Sequence, residues 1–126
     1  MKYEKAEDLK EIGLDIIGKL NLNHIDANNV FFFRSYGSKT RRTIARCHAM
    51  SKVLQLALCR KAAYIIEVIS EKFDKLSEEE KIKTIIHELM HIPKSFGGGF
   101  KYHNYVCKDE VEKMYKKYLE KIKQLL

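Results

Sequence analysis

Residues 77–91 constrain the fold more than any other segment, because they specify a helix from its first residue to its buried face. Ser77 precedes three glutamates, and a serine followed three residues later by a glutamate is a capping box that begins a helix. The acidic first turn also complements the positive end of the helix dipole. Apolar residues then recur at helical spacing, at Ile82, Ile85, Ile86 and Leu89. The pattern predicts a helix with one face packed against a core.

The other side of this predicted helix carries the sequence His-Glu-Leu-Met-His. His87 and His91 are four residues apart, so they lie about 40° apart around the axis and both imidazoles can reach one ion. Glu88 is offset by one step, which suits a carboxylate that contacts water at the ion rather than the ion itself. By angle, both histidines lie away from the apolar stripe, which disfavours a pair of core histidines. The motif predicts a zinc peptidase with Glu88 as general base.

A third zinc ligand should follow the helix, because a catalytic zinc usually has three protein ligands and one open position. His103 lies just beyond a run of three glycines at 97–99, which predicts a flexible reversal toward the helix end. Asp109 and Glu110, at the start of the last predicted helix, are the alternatives. Imidazole suits zinc and Glu110 has an ordinary interpretation as a solvated or helix-capping acid, so we prefer His103.

The remaining pattern predicts helices and strands in mixed order. An apolar stripe at residues 9–20 predicts an N-terminal helix, and branched and aromatic content predicts strands at 30–36, 43–48 and 63–69. Ser51 is expected to cap a short helix between the last two strands. The strand at 63–69, directly before the histidine helix, is expected to form the rim of the cleft, where an extended peptide could pair with its edge.

The C-terminal segment has two interpretations. Residues 107–126 carry a helical apolar stripe, which predicts either a core helix or a helix that covers the cleft of its own or a neighbouring chain. The second interpretation predicts a latent protein or a homodimer. Cys107 could approach the metal as a blocking thiolate, although a small buried residue is the preferred interpretation.

Composition is that of one globular domain spanning residues 1–126. The chain is 45% hydrophobic and 33% charged, and it has no apolar run long enough to span a membrane. Its first residues lack an apolar signal core, which predicts a cytoplasmic location. The odd number of cysteines, Cys47, Cys59 and Cys107, argues against a disulfide scaffold.

The net charge of +7 is densest at Arg34, Lys39, Arg41, Arg42 and Arg46, which have no acid between them. A phosphate-binding patch and a solvated surface are both consistent with this segment. No recognition helix, zinc ribbon or aromatic stacking platform is evident in the sequence, so a nucleic-acid partner is not expected. The expected partner is a peptide or protein substrate.

Taken together, these segments resemble the minigluzincins, a family of small archaeal zinc metallopeptidases. The likeness rests on Phe33-Arg34-Ser35, on the segment from Glu67 through the histidine motif and glycine run, and on His103. It covers most of residues 30–105 and implies an α+β, minimal gluzincin-type scaffold with a small, mostly antiparallel sheet. It further implies that His87, His91 and His103 hold Zn²⁺, that Glu88 is the base, and that the C-terminal segment obstructs the cleft in a zymogen-like form.

Two other functions remain open at this level. Spartan-type DNA-repair proteases join a similar zinc motif to DNA binding, so a DNA-associated protease is the main alternative. A non-catalytic zinc-binding protein is the other.

Overall fold

A computed structural model describes residues 1–101 and 106–126, and its centre is a four-stranded sheet. The strands are β1 (Lys2–Lys5), β2 (Val30–Tyr36), β3 (Ala45–Ala49) and β4 (Tyr64–Ile69). The helices are α1 (Glu7–Lys19), α2 (Lys52–Ala57), α3 (Ser70–Phe73), α4 (Glu78–Met90) and α5 (Lys108–Gln124). A 3-10 turn, Ala27–Asn29, leads into β2.

The strands lie in the order β1-β2-β4-β3. β1 pairs antiparallel with β2, β3 pairs antiparallel with β4, and the central β2 and β4 are parallel. This arrangement confirms the predicted α+β class, with a small, mostly antiparallel sheet, an N-terminal helix and a C-terminal helix.

One face of the sheet forms the core. Side chains alternate between the two faces of a strand, and the inward positions are apolar and buried, as at Phe32 on β2 and Ile66 on β4. Helices α1, α4 and α5 cover this face with Leu9, Ile16, Ile85, Ile86, Leu89, Val111, Tyr115 and Tyr118. The outward face has no equivalent helical layer among the described residues.

Helix α4 forms as the sequence predicts. Ser77 is its N-cap and accepts a hydrogen bond from the Glu80 amide at 3.2 Å. Ile85, Ile86 and Leu89 are at most 1% exposed. Full burial of such a side chain contributes about 1.5–3 kcal/mol, so these three residues fix which face of the helix meets the sheet.

The prediction that the strand at 63–69 forms the rim of the cleft was wrong. β4 pairs with β2 on one side and with β3 on the other, so the strand at 63–69 has no free edge to offer a peptide. The edge belongs to β3, which begins at Ala45, two residues later than predicted. β1 was not predicted at all, because its four residues are charged or exposed and carry no apolar alternation.

Helix α5 packs its stripe against its own chain. Val111, Tyr115 and Tyr118 are buried, and the Tyr118 hydroxyl donates a hydrogen bond to Asp15 of α1. Most of the stripe therefore belongs to the core, as in the first of the two interpretations. Leu125, the last residue of the predicted stripe, is 75% exposed.

Arg34 does not belong to an open basic patch. Its guanidinium pairs with Asp8 of α1 at 2.7 Å and with Asp74, after α3, at 2.9 Å, and its side chain is only 18% exposed. The Arg34 guanidinium holds the pKa of Asp8 below its usual range. The charge thus ties β2 to two helical segments. No helix among the described residues is long and apolar enough to cross a bilayer.

Two glycines of α1 provide a matched pair of tests. A Cβ at Gly13 would lie 2.7 Å from Phe32 Cε2 and nearer still to Cζ, whereas a Cβ at Gly18 would meet nothing within 4 Å. Gly13→Ala is expected to destabilise the fold by about 1–3 kcal/mol, because Phe32 is buried and cannot move aside. Gly18→Ala is expected to stabilise it by up to about 1 kcal/mol. Denaturant unfolding measures both, and equal effects would contradict the packing described.

Candidate metal centre

His87, Glu88 and His91 lie together at the C-terminal end of α4. One ligand atom from each residue lies within 4.8 Å of the others. The imidazole centroids of the two histidines are 4.9 Å apart, and Glu88 Oε2 lies 3.9 Å from His87 Nε2. The His87 side chain is 30% exposed, whereas that of Glu88 is 9% exposed. The predicted helix spacing thus brings two imidazoles and a carboxylate to one point.

His91 is more enclosed than the angle count predicts. It is 1% exposed, because the chain returns over the end of α4 and stacks Phe100 on its ring, with centroids 4.5 Å apart. His91 Nδ1 is hydrogen-bonded to the Lys101 carbonyl, which can only accept, so Nδ1 carries the proton. Nε2 then keeps its lone pair for a metal ion, the usual arrangement of a metal-binding histidine.

Tyr64 and Gln55 hold the glycine run that brings Phe100 and Lys101 to His91. The Tyr64 hydroxyl accepts from the Gly98 amide at 3.0 Å and donates to the Gly99 carbonyl at 2.8 Å. The Gln55 amide donates to the Gly97 carbonyl at 3.0 Å. The run is therefore attached to β4 and α2 rather than a flexible linker, contrary to the sequence-based expectation.

Gly98 is the glycine that this arrangement requires. Its φ of +101° lies in a region that side chains rarely adopt. A Cβ there would also lie 2.5 Å from the Gln55 side-chain nitrogen. Glycine is needed for close packing at this position, not for mobility.

Burial is the main influence on the pKa values of Glu88 and Cys47, which lie near the two histidines. It raises the pKa of Glu88 to about 7, because few water molecules can solvate the charged carboxylate. Burial, together with the Glu88 carboxylate, raises the pKa of the Cys47 thiol on β3 to about 12. Cys47 is therefore a neutral thiol near neutral pH. A cation bound between the histidines would favour the charged form of Glu88.

An open cleft of about 530 Å³ lies beside this group. We call it the α4 cleft. One wall comes from the segment entering β3, another from α4, and the third from the first turn of α5. The lining residues are Arg42, Ile44, Ala45, Glu80, Lys83, Thr84, His87, Glu88, Lys108, Val111 and Glu112.

The other predicted site residues are placed as follows. His103, the preferred third ligand, lies outside the described residues. Glu110 pairs with Lys113 at 3.4 Å, in keeping with a solvated acid. Cys107 is exposed and precedes α5 as its N-cap residue, so the prediction that it is buried was wrong. The described residues contain no other candidate metal group of three ligands.

Sequence reasoning missed the residues that support the site. The sequence pattern predicts Tyr64 only as part of a strand and Gln55 only as part of a short helix. Neither has a local signal, since their partners lie 34 and 42 residues away in the chain. The three consecutive glycines were the one available signal, and a close backbone approach explains them better than flexibility does.

Comparison with known proteins adds one finding. A family model described as "Putative phage metallopeptidase" matches residues 1–118. No curated protein and no solved structure matches the chain.

Tyr64→Phe tests the support of the site. Loss of the hydroxyl should loosen Gly98 and Gly99 and release the Lys101 carbonyl from His91, so the affinity for added zinc should fall by about tenfold to a hundredfold. Tyr118→Phe is the matched control, because its hydroxyl bonds Asp15 away from the site. Competition with a chromogenic chelator measures both variants. Equal zinc affinity in wild type and Tyr64→Phe would show that the hydroxyl does not position His91.

Glu88→Gln tests the burial of this carboxyl in chelator-treated protein. With its pKa raised from 4.5 to about 7, folded Glu88 retains its proton where unfolded Glu88 has lost it, so stability falls as pH rises between these values. Glutamine removes this cost, which is on the order of 3 kcal/mol above pH 7 and absent below pH 4.5. The variant should gain thermal stability over wild type at pH 8 but not at pH 4. A pH-independent difference would contradict this account.

Proposed function

The chain belongs to the phage metallopeptidase family, and on that premise we propose that it is a zinc-dependent endopeptidase. The observation that carries the proposal is the group of His87, Glu88 and His91, with His91 Nδ1 protonated against the Lys101 carbonyl. Two imidazoles and an adjacent carboxylate are the residue types such hydrolysis requires. The gluzincin-type assignment and the likeness to minigluzincins rest on sequence resemblance.

We propose His103 as the third ligand. The Lys101 backbone carbonyl accepts from His91 Nδ1, and the Lys101 amide donates to the His91 carbonyl at 2.8 Å. Lys101, two residues before position 103, therefore lies beside His91. Two residues span at most about 7 Å, so an imidazole at position 103 could reach an ion there. A third imidazole would complete the donor set that zinc prefers.

When bound, zinc would lower the pKa of a water molecule and polarise the scissile carbonyl. Glu88 would accept the proton of the attacking water and later deliver it to the leaving amine. A carboxyl whose pKa lies near 7 suits both transfers, since it can hold and release a proton near neutral pH. His91 would keep a fixed orientation throughout, held by Phe100 and Lys101.

We propose that β3 binds the substrate backbone. Ile44 accepts from Ile69 and Met50 donates to Ala63, both across the β3–β4 ladder. Because neighbouring residues of an antiparallel strand point their backbone groups to opposite sides, Ala45, Cys47 and Ala49 direct theirs to the outer edge. Ala45 also lines the α4 cleft. An extended peptide paired with this edge would pass beside Glu88, much as predicted for the wrong strand.

Latency and dimerisation through residues 107–126 stay proposals. Latency is supported by Lys108, Val111 and Glu112, which place the first turn of α5 at the cleft wall. Lys83 of α4 holds that turn through Glu112 at 2.8 Å. Since the rest of the stripe is in the core, the obstructing part of a latent form would be this first turn rather than the whole helix.

A DNA-associated protease is the alternative, supported by the exposed Lys39, Arg41 and Arg42 in the segment before β3. It has less support than the sequence suggested, because Arg34 is engaged by two aspartates. A cytoplasmic location is also a proposal, and it is consistent with three cysteines that form no disulfide. A non-catalytic zinc protein would bind metal and hydrolyse nothing.

Alanine substitution of each histidine tests the ligand set. His87→Ala, His91→Ala and His103→Ala should each lose most of the bound zinc, because two imidazoles hold zinc weakly. Glu110→Ala is the control and should keep it, since Glu110 pairs with Lys113. Elemental analysis after gel filtration gives the stoichiometry. Full zinc in His103→Ala together with loss in Glu110→Ala would assign the third ligand to Glu110.

Glu88→Gln separates catalysis from metal binding. The variant should keep stoichiometric zinc and a folded structure and lose peptide hydrolysis by at least about a hundredfold, because it lacks the base. The measurements are zinc content and cleavage of a quenched fluorescent peptide library. Loss of zinc would instead make Glu88 a ligand, and unchanged hydrolysis would remove it from the reaction.

A further inference from the structure

Helix α2 exposes the apolar residues that a helix normally buries. Val53 is 71% exposed, Leu54 48%, Leu56 78%, and Leu58, which follows the helix, 62%. Most large apolar side chains of this protein lie in one core, so such a cluster is unusual. Several exposed apolar side chains on one short helix are typical of an interaction surface.

Two of these residues, Leu54 and Leu58, line a groove of about 290 Å³ between α2 and the outward face of the sheet. Phe31 of β2 and Ile65 of β4 are paired neighbours on that face, and each is more than a third exposed. Leu54 and Leu58 form the opposite wall. We call this the α2 groove. Its remaining lining residues are His48, Ala49, Met50, Arg60 and Ala63.

The groove is built on fixed parts. Gln55 anchors α2 through the Met50 and Gly97 carbonyls, at 2.9 and 3.0 Å. His48 is held from below by Glu67, whose Oε1 lies 2.7 Å from His48 Nε2 and whose side chain is 3% exposed. The surface is therefore preformed, and the one acid beneath it is covered and paired.

The lining of the α2 groove contains one cation, Arg60, and no acid. Residues 27–66 contain no acid and eight cations, namely Arg34, Lys39, Arg41, Arg42, Arg46, Lys52, Arg60 and Lys61. The rest of the chain has a net charge of −1, so this segment carries the entire positive excess. Arg60 is followed by the exposed Lys61, and Arg46 points to the same outward face as His48, two residues away on β3. A ligand for this surface must be apolar at its centre and acidic around it.

We propose that the α2 groove docks an aliphatic segment of a partner polypeptide that carries acidic residues on either side. A second copy of this chain would bring one cationic segment against another, which is repulsive. Nucleic acid would match the charge, but bases stack on aromatic side chains, and Phe31 is the one phenyl ring among the residues that line the groove. An acidic, leucine-rich polypeptide satisfies both properties of the surface.

The α2 groove is separate from the α4 cleft, and the proposal does not rest on peptide hydrolysis. The two lie on opposite sides of β3. His48 lines the groove, whereas Cys47, the neighbouring residue, lies close enough to Glu88 for the carboxylate to raise the pKa of its thiol. A polypeptide docked in the groove would leave the residues of the metal group uncovered.

The test is a binding experiment with the full chain carrying Glu88→Gln, which prevents cleavage of the probe. The probe is a fluorescent synthetic peptide with a leucine-rich centre and glutamates at both ends, and anisotropy gives its affinity. The double change Leu54→Gln and Leu58→Gln should weaken binding by about tenfold or more, because it removes one wall of the groove. The matched control, Leu14→Gln with Leu119→Gln, changes leucines of 36% and 37% exposure on α1 and α5 and should bind as the parent does.

A second pair of variants tests the charge. Arg60→Glu with Lys61→Glu should weaken binding, whereas Lys116→Glu with Lys117→Glu, which changes net charge equally on α5, should have little effect. A peptide with lysine in place of glutamate should not bind. Thermal unfolding of every variant confirms that the fold is retained.

Several outcomes would overturn the proposal. They are an absence of peptide binding, equal binding by the parent and the Leu54, Leu58 variant, and equal binding of the lysine peptide. Tighter binding of single-stranded DNA than of the peptide, lost in the Arg60, Lys61 variant, would assign the surface to nucleic acid. Sedimentation showing a dimer that the leucine changes abolish would assign it to a second copy of the chain.

Discussion

The site depends most on the hydrogen bond from His91 to the Lys101 carbonyl. It sets the protonation of the imidazole and brings the chain back to the end of α4. The bond exists because the glycine run is held at Tyr64, a fully buried residue of the central β4. Hydrogen bonds therefore connect the sheet core to the group of His87, Glu88 and His91. A change in the packing of β4 reaches the histidines through a few bonded groups.

β3 gives the molecule two distinct surfaces. As an edge strand, it has one side paired with β4 and the other available. Because successive side chains point to opposite faces, Cys47 lies toward Glu88 and His48 toward the α2 groove. A five-residue strand thus separates the α4 cleft from a surface suited to another polypeptide. Substrate and partner could be bound together along one strand.

The charged residues of this protein have different structural roles. Charges that join elements are paired, as Arg34 is with Asp8 and Asp74, and as Lys83 is with Glu112. Such exposed or half-exposed pairs contribute little stability individually, but they fix the placement of α1, α3 and α5. The positive excess lies in residues 27–66, which contain no acid, and among its cations Arg34 is paired with acids from outside the segment. Glu88 differs from both, because burial rather than a charge partner sets its pKa.

The sequence by itself determined whatever depends on local spacing. The cap at Ser77, the buried stripe of α4 and the approach of His87 to His91 all follow from helix geometry. Tertiary structure decided which strand is the edge, how deeply His91 is buried and what the glycines are for. Edge and interior strands differ in their neighbours, and Tyr64 meets Gly98 across 34 residues, so no local pattern encodes either outcome. Contacts between residues far apart in the chain, which local sequence patterns do not specify, fix the positions of His87, Glu88 and His91 in the fold.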